Sequence, residues 1–237
     1  MLTSTFDNHE LSVTQLSADA IARPNSGEVF ILCALLFLLT LTMVLYRRKF
    51  SNVLQALYSQ RFFSLLTREG KALEDMLFPL TLLFDMLTLA LGLLTIVNHF
   101  YAPFVAKMTY WGSYAISVAV MTALYFVPYL GNLIYAGLYD RQKDHYALNL
   151  YKFIFLTNVA VALFVFLIIY HATQNFIVFY VFIPLFIVLF GLFLFRLLKI
   201  SAGKVNLFHF FIYFCTLEIL PYLVLVKLIA IICKSNS

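Results

Sequence analysis

The chain is short of charge. Lysine, arginine, aspartate and glutamate together supply 11% of its 237 residues, where a soluble domain carries about 25%. With 63% hydrophobic residues, no soluble core of this size could cover the apolar surface. Cysteine is scarce as well. Cys33, Cys215 and Cys233 lie within or at the end of apolar stretches, without CxxC spacing. That pattern suggests neither a disulfide framework nor a thiolate metal site, and the three read as small buried hydrophobes. HExxH, GxSxG, P-loop and GxGxxG patterns are missing, so the enzyme classes that depend on them have no sequence support. The expectation is a non-enzymatic protein with no cofactor and no metal. Its net charge of +5 is not a nucleic-acid footprint, because the basic residues cluster between apolar runs and there report topology.

Long apolar runs are what the chain has in quantity, with 26 phenylalanines and 15 tyrosines among them. They are unbroken rather than alternating, which argues against a β-barrel. The expected fold is an all-α, polytopic transmembrane helical bundle. At about 20 apolar residues per crossing, six spans can be drawn over 29–232: Val29 to Tyr46, Leu77 to Asn98, one within Met108 to Tyr139, Tyr151 to Tyr170, Phe176 to Leu198, and Leu207 to Ile232. Pro128 and Gly131 are expected to kink the third, or to end it and start an interfacial turn. Residues 1–28 are polar and mildly acidic and lack the basic start of a signal peptide; they are expected to form a disordered periplasmic tail. Residues 233–237 make a short second tail.

Orientation follows from lysine and arginine. One set of connections holds Arg47, Arg48, Lys49, Arg61, Arg68 and Lys71, then Arg141, Lys143 and Lys152, then Arg196, Lys199 and Lys204. The other side holds only Arg23, Lys107 and Lys234. The positive-inside rule puts the larger set in the cytoplasm and both termini outside. Within 47–75, Phe50, Val53, Leu54, Leu57, Leu65 and Leu66 recur near helical spacing. This stretch reads as a basic amphipathic helix on the cytoplasmic face. Its Arg47, Arg48, Lys49 and Arg61 would anchor anionic lipid or dock a partner.

Four spans carry a polar side chain at comparable depth. Asp85 lies roughly 12 Å into the second span, Asn158 roughly 10 Å into the fourth and Glu218 roughly 16 Å into the sixth, at 1.5 Å per residue. Asn132 follows Pro128 near the inner end of the third. A charged group at such depth costs roughly 2.5 to 3.5 kcal/mol on insertion scales and normally faces protein or a wet cavity. A shared polar interior is the economical inference. Pro221 lies three residues after Glu218, where it kinks the helix and frees carbonyls that neighbours must satisfy. Tyr222 is one turn from Glu218 and within reach of a hydrogen bond. Arg196 and Lys152 lie near the inner boundary, where they can snorkel to water. If the acids share a site they titrate as a coupled pair. Two readings stand side by side: protonation of Glu218 and Asp85 gates or drives a process, or the two fix packing through interhelical hydrogen bonds. His99 and His171 fall at the outer edge without a carboxylate partner, a poor metal site. Tyr101, Tyr110 and Trp111 suggest an outer aromatic belt.

The run Phe211 to Leu225 contains Tyr213, Thr216, Leu217, Glu218, Ile219, Leu220 and Pro221. This YxxTLEILP pattern resembles the C-terminal hallmark of an uncharacterised multi-pass inner-membrane family of Bacteroidota, a domain of unknown function. The resemblance extends from the 47–75 loop, with its Arg61-Phe62 pair, through Asn149 to Phe153 and on to the end of the sixth span. It implies a bacterial inner-membrane location and supplies no mechanism. One departure is Pro128-Tyr-Leu-Gly131, where a more polar, often lysine-bearing stretch is expected. That weakens any shared charged site in span three. The leading expectation is therefore an inner-membrane component or accessory subunit of a cell-envelope system. Glu218 and Asp85 would form its polar site, in contact with the lipid bilayer and with a membrane-protein partner or a second copy. The alternative is a small proton-coupled secondary transporter with Glu218 as proton carrier, although no internal repeat of the kind such transporters carry is visible.

Overall fold

The computed structural model describes residues 26–69, 76–100, 109–139, 142–201 and 227. Among them the fold is entirely helical: α1 (Ser26–Ala56), α2 (Gln60–Glu69), α3 (Leu77–Phe100), α4 (Tyr110–Tyr139), α5 (Gln142–Thr173) and α6 (Ile177–Ser201). Five of these, all but α2, are long and apolar enough to cross a membrane. The protein is a multi-pass membrane protein built as a helical bundle. The sixth expected span, 207–232, lies outside the described residues apart from Lys227, and with it lie Glu218, Pro221 and Tyr222.

Helix α3 is the hub, packed on α1, α4 and α5; α6 packs on α5. In lipid no hydrophobic force pulls helices together, so close packing and interhelical hydrogen bonds must do it. Gly92 shows how close α3 and α5 come. A Cβ there would fall 2.7 Å from Leu163 Cδ2. Two hydrophobic clusters result. One surrounds Phe50, Val53, Leu57, Tyr151, Ile154 and Phe193. The other surrounds Leu35, Phe84, Leu91, Leu94, Phe164 and Leu167.

The helices extend past the apolar runs. Helix α1 starts at Ser26, so Glu28 stands in its first turn. It then continues beyond Tyr46, where the backbone departs from helix (φ −129°, ψ 34°). No proline or glycine sits there to cause the break. On either side of the break the helix buries one face, Ile31, Leu35 and Thr42 before it and Phe50, Val53 and Ala56 after it. The expected single helix over 47–75 is therefore two pieces. The end of α1 and then α2 are joined at Leu57-Tyr58-Ser59, and residues 70–75 lie outside the described set. The side chains of Phe50, Val53, Leu57 and Leu66 are buried in the bundle, while Arg47, Arg48, Lys49, Arg61 and Arg68 are exposed. At the end of α1, Arg196 Nη1 of α6 donates a 2.8 Å hydrogen bond to the carbonyl of Ala56, which has no acceptor role left within its own helix.

Pro128 neither ends span three nor starts an interfacial turn, for α4 runs through it to Tyr139. Helix α5 begins at Gln142, nine residues before the expected Tyr151. The turn to α6 is tight. Gln174 takes a left-handed conformation (φ 52°), and Asn175 Oδ1 accepts from the amide of Ile177 at 3.0 Å, an N-cap.

Candidate intramembrane polar site

Asp85 is fully buried in the middle of the bundle. Its partner comes from α5: Thr157 Oγ1 donates to Asp85 Oδ2 at 2.8 Å. The other oxygen, Oδ1, is buried and has no hydrogen-bond partner among the described residues. Phe84, beside Asp85, belongs to one hydrophobic cluster, and Ile154, one turn before Thr157, belongs to the other. The acid thus lies where the two clusters meet.

Asp85 is the one ionisable member of a buried stripe along α3. Thr81, Asp85, Thr88, Gly92 and Thr95 follow one another at intervals of four, three, four and three, which places them on one helix face. The four polar members are all buried. The threonines spend their protons at home: Thr81, Thr88 and Thr95 donate to the carbonyls of Leu77, Phe84 and Leu91. They add little polarity outward, and their small size is what lets α5 approach. Asp85 alone reaches across.

Of the expected polar layer, the structure brings Asp85 to α5 but pairs it with Thr157, which the sequence reading had passed over. Asn158 is buried one residue further on, and its Nδ2 turns back to the Ile154 carbonyl at 2.8 Å. Residue 132 is in α4, and its side chain lies outside the described set. The signal for Thr157 was weak, since an apolar span containing Thr-Asn draws the eye to the more polar residue. The signal for the α3 stripe was stronger, because Thr at helical spacing around a buried acid is visible in the sequence alone.

Next to the acid is a cavity of about 440 Å³ between α3, α4, α5 and α6. Met86, the neighbour of Asp85, lines it, and so does Tyr125 of α4, which is close enough to Asp85 for the two to interact electrostatically. Asn149, Lys152 and Tyr129 are also in its lining. Lys152, near the inner boundary, is partly buried and lines the cavity wall.

A second polar group forms at the opposite end of the bundle. His171 Nδ1 of α5 stands 3.6 Å from Glu28 Oε2 of α1, and Tyr110 and Tyr170 lie within electrostatic reach of the same carboxylate. His171 therefore has the carboxylate partner that its sequence neighbourhood did not offer, supplied by the first turn of a helix in place of a free tail. His99 stacks on Phe176 with ring centroids 3.7 Å apart. Trp111 is exposed at this same end, against Phe30 and Tyr110, as an aromatic belt requires. No group of three or more His, Cys, Asp or Glu with metal-binding geometry occurs among the described residues.

Residues 29–229 match a family described as a domain of unknown function, DUF4271. The chain belongs to the DUF4271 family. Its match takes in α1, which the resemblance drawn from the C-terminal hallmark had not covered, together with the α3 stripe, the cavity helices and the 207–232 span. Comparison of this DUF4271 chain with curated proteins and with solved structures gives no match.

Proposed function

We propose that this DUF4271 protein is a non-enzymatic component of a cell-envelope assembly in a bacterial cytoplasmic membrane, with Asp85 as the group through which it works. The observation that carries the reading is the half-satisfied carboxyl. Leaving a buried polar atom without a partner costs about 1–3 kcal/mol. A carboxyl kept only for packing would have its second oxygen covered, and an ionisable residue inside a membrane bundle is a functional candidate by default. With no partner among the described residues, Oδ1 is open to a proton, a water or a donor from another chain. Glu218 of the 207–232 span would be the second member of the site, with Pro221 and Tyr222 beside it and Asn158 and Asn132 around it. The described bundle also leaves room for partners: only 22%, 17% and 17% of the most apolar windows of α1, α4 and α6 are buried within it. Arg47, Arg48, Lys49 and Arg61 would face the cytoplasm and dock acidic lipid or a partner.

The test is affinity purification from native membranes in mild detergent, comparing wild type with Asp85→Asn and quantifying co-purifying proteins by mass spectrometry. A stoichiometric partner that is lost with Asp85→Asn is the expected result. A monodisperse, partner-free wild-type protein would overturn it. The second reading, proton-coupled transport, is favoured by one observation: the 440 Å³ cavity reaches the residue next to Asp85. Proton flux into liposomes that disappears with Asp85→Asn or Glu218→Gln would establish that reading instead.

A further inference from the structure

We infer that Glu28 and His171 form an acid-closed latch, an ion pair that fastens the first turn of α1 to the last turn of α5 when the medium at that end of the bundle is acidic and releases it when the medium is alkaline. The inference is independent of the role given to Asp85.

Geometry comes first. His171 Nδ1 stands 3.6 Å from Glu28 Oε2. That separation suits an ion pair, and only a protonated imidazole makes one. Histidine is the side chain whose ordinary charge change falls between about pH 5 and pH 8. Each group also lies at the helix end that favours its charge: Glu28 in the first turn of α1 and His171 in the last turn of α5. The positive end of one helix dipole thus supports the carboxylate, and the negative end of the other supports the imidazolium. Gln174 Nε2 donates to the carbonyl of His171 at 2.9 Å, which ties residue 171 to the tight α5–α6 turn. The side chains of Glu28 and His171 keep 21% and 15% of their surface exposed. Protons therefore reach them, while salt screens the pair less than it would on an open surface.

The surroundings leave the charge change to this pair. Among the described residues, α4 brings Tyr110 and Tyr114 to this end, α5 brings Tyr170, and Tyr180 of α6 lies against Phe176. Phenols stay uncharged at neutral pH and below. Helix α3 ends with His99, stacked on Phe176, the one other described group here that changes charge in the same range. Arg23 and Lys107 adjoin this end in sequence, outside the described residues. His171 Nε2 is buried with no hydrogen-bond partner among the described residues, so Glu28 is the charge at hand to answer a protonated ring. Helix α1 is lightly held, with 22% of its most apolar window buried. At this end it rests on the Tyr110 ring, 2.8 Å from the Cβ position of Gly27, and on Trp111 through Phe30, with ring centroids 6.2 Å apart. An ion pair worth about a fivefold change in an equilibrium matters to a helix held this way.

Trp111 is the chain's one tryptophan, and Phe30 of α1 lies edge-on to it, so its fluorescence reports where the start of α1 sits. The experiment titrates that emission for the full chain in phosphatidylcholine nanodiscs, from about pH 8.5 to about pH 5. Wild type is expected to show one single-proton transition, toward shorter wavelength as acid holds Phe30 on the indole ring. His99→Gln should keep the transition, and His171→Gln and Glu28→Gln should each lose it. His171→Lys, charged across the whole range, should hold the acid-form emission at every pH. A variant that merely failed to fold could not imitate that result. Thermal unfolding supplies a second measure. At about pH 5.5 the double variant Glu28→Gln/His171→Gln should be less destabilised than the two single losses combined, by about fivefold in the unfolding equilibrium, whereas at about pH 8 the losses should add. A flat wild-type titration would overturn the inference. So would a transition that survives in His171→Gln or Glu28→Gln, that vanishes in His99→Gln, or that persists in His171→Lys.

Discussion

At the scale of the residue, Asp85 and Thr157 make opposite demands on stability. Leucine has nearly the shape of aspartate with its oxygens replaced by methyl groups. Asp85→Leu therefore removes a buried polar atom that has no partner among the described residues, and replacing buried ionic groups by apolar ones of similar shape is often neutral or stabilising. Thr157 would not suffer, since its hydroxyl can turn to a carbonyl of its own helix as Thr81, Thr88 and Thr95 do. Thr157→Val does the reverse: it strips Asp85 of the hydrogen bond at Oδ2 and leaves both oxygens buried without one among the described residues. The expected result is that Asp85→Leu unfolds at the wild-type temperature or above it, whereas Thr157→Val costs about 1–3 kcal/mol, read from thermal unfolding of purified protein in detergent. Should Asp85→Leu prove the more damaging change, the carboxyl is a packing element and its working role is lost. This pair also marks where sequence reading stopped. The acid was plain, because charge in an apolar run is conspicuous. Its partner was not, because a threonine in a membrane helix usually bonds its own turn and nothing in the sequence distinguishes the exception.

At the scale of the element, apolar runs located every described span to within a turn or two at most ends. They could not locate what happens beyond the apolar part. Helix α5 gains its first turns from Gln142-Lys-Asp-His, which no hydropathy criterion would include, and the break at Tyr46 has no local cause at all. Beyond it Phe50 and Val53 join a core contributed by α5 and α6, residues about a hundred positions away or more. Two predictions belong here. Gly92→Val puts branched carbon where Leu163 already stands 2.7 Å from the Cβ position. Overpacking of this kind costs about 1–3 kcal/mol, and the double variant Gly92→Val/Leu163→Ala should recover part of it, as thermal unfolding of the two will show. If Leu163→Ala adds its own loss with no recovery, α3 and α5 do not meet at this point. Arg196→Ala removes the charged donor on the Ala56 carbonyl, a bond worth about 1.5–3 kcal/mol. Because that bond ties α6 to the end of α1, its loss should raise proteolytic cutting in the 57–59 turn, with Arg196→Lys between the two. Unchanged cutting in Arg196→Ala would mean that the buried Phe50 and Val53 alone hold this corner.

At the scale of the molecule, the helices sort their ends without reference to any membrane. Glu28 meets His171, His99 meets Phe176 and Phe30 meets Trp111, so α1, α3, α4, α5 and α6 share one end. Arg196 meets Ala56 and Phe63 meets Tyr151, so the other end collects Arg47, Arg48, Lys49, Arg61 and Arg68. The arrangement is antiparallel and alternating, and the charge asymmetry between its ends is the one the sequence showed. Lysine and arginine near span ends tend to stay in the cytoplasm, which predicts the direction in which the bundle should sit. The test is thiol labelling in intact cells, with Cys33, Cys215 and Cys233 replaced by serine. Asn175→Cys, in the exposed α5–α6 turn, should react with an impermeant maleimide added outside. Arg61→Cys, exposed on α2, should react only after the cells are opened. The reverse pattern would turn the bundle over, placing the basic face of α2 beyond the reach of any cytoplasmic partner. Labelling of both sites from outside would mean that one of α3 to α5 does not cross, and the antiparallel contacts of α3 would then have to form on one side of the membrane. If that helix is α3 or α5, the burial of Asp85 between them could not persist.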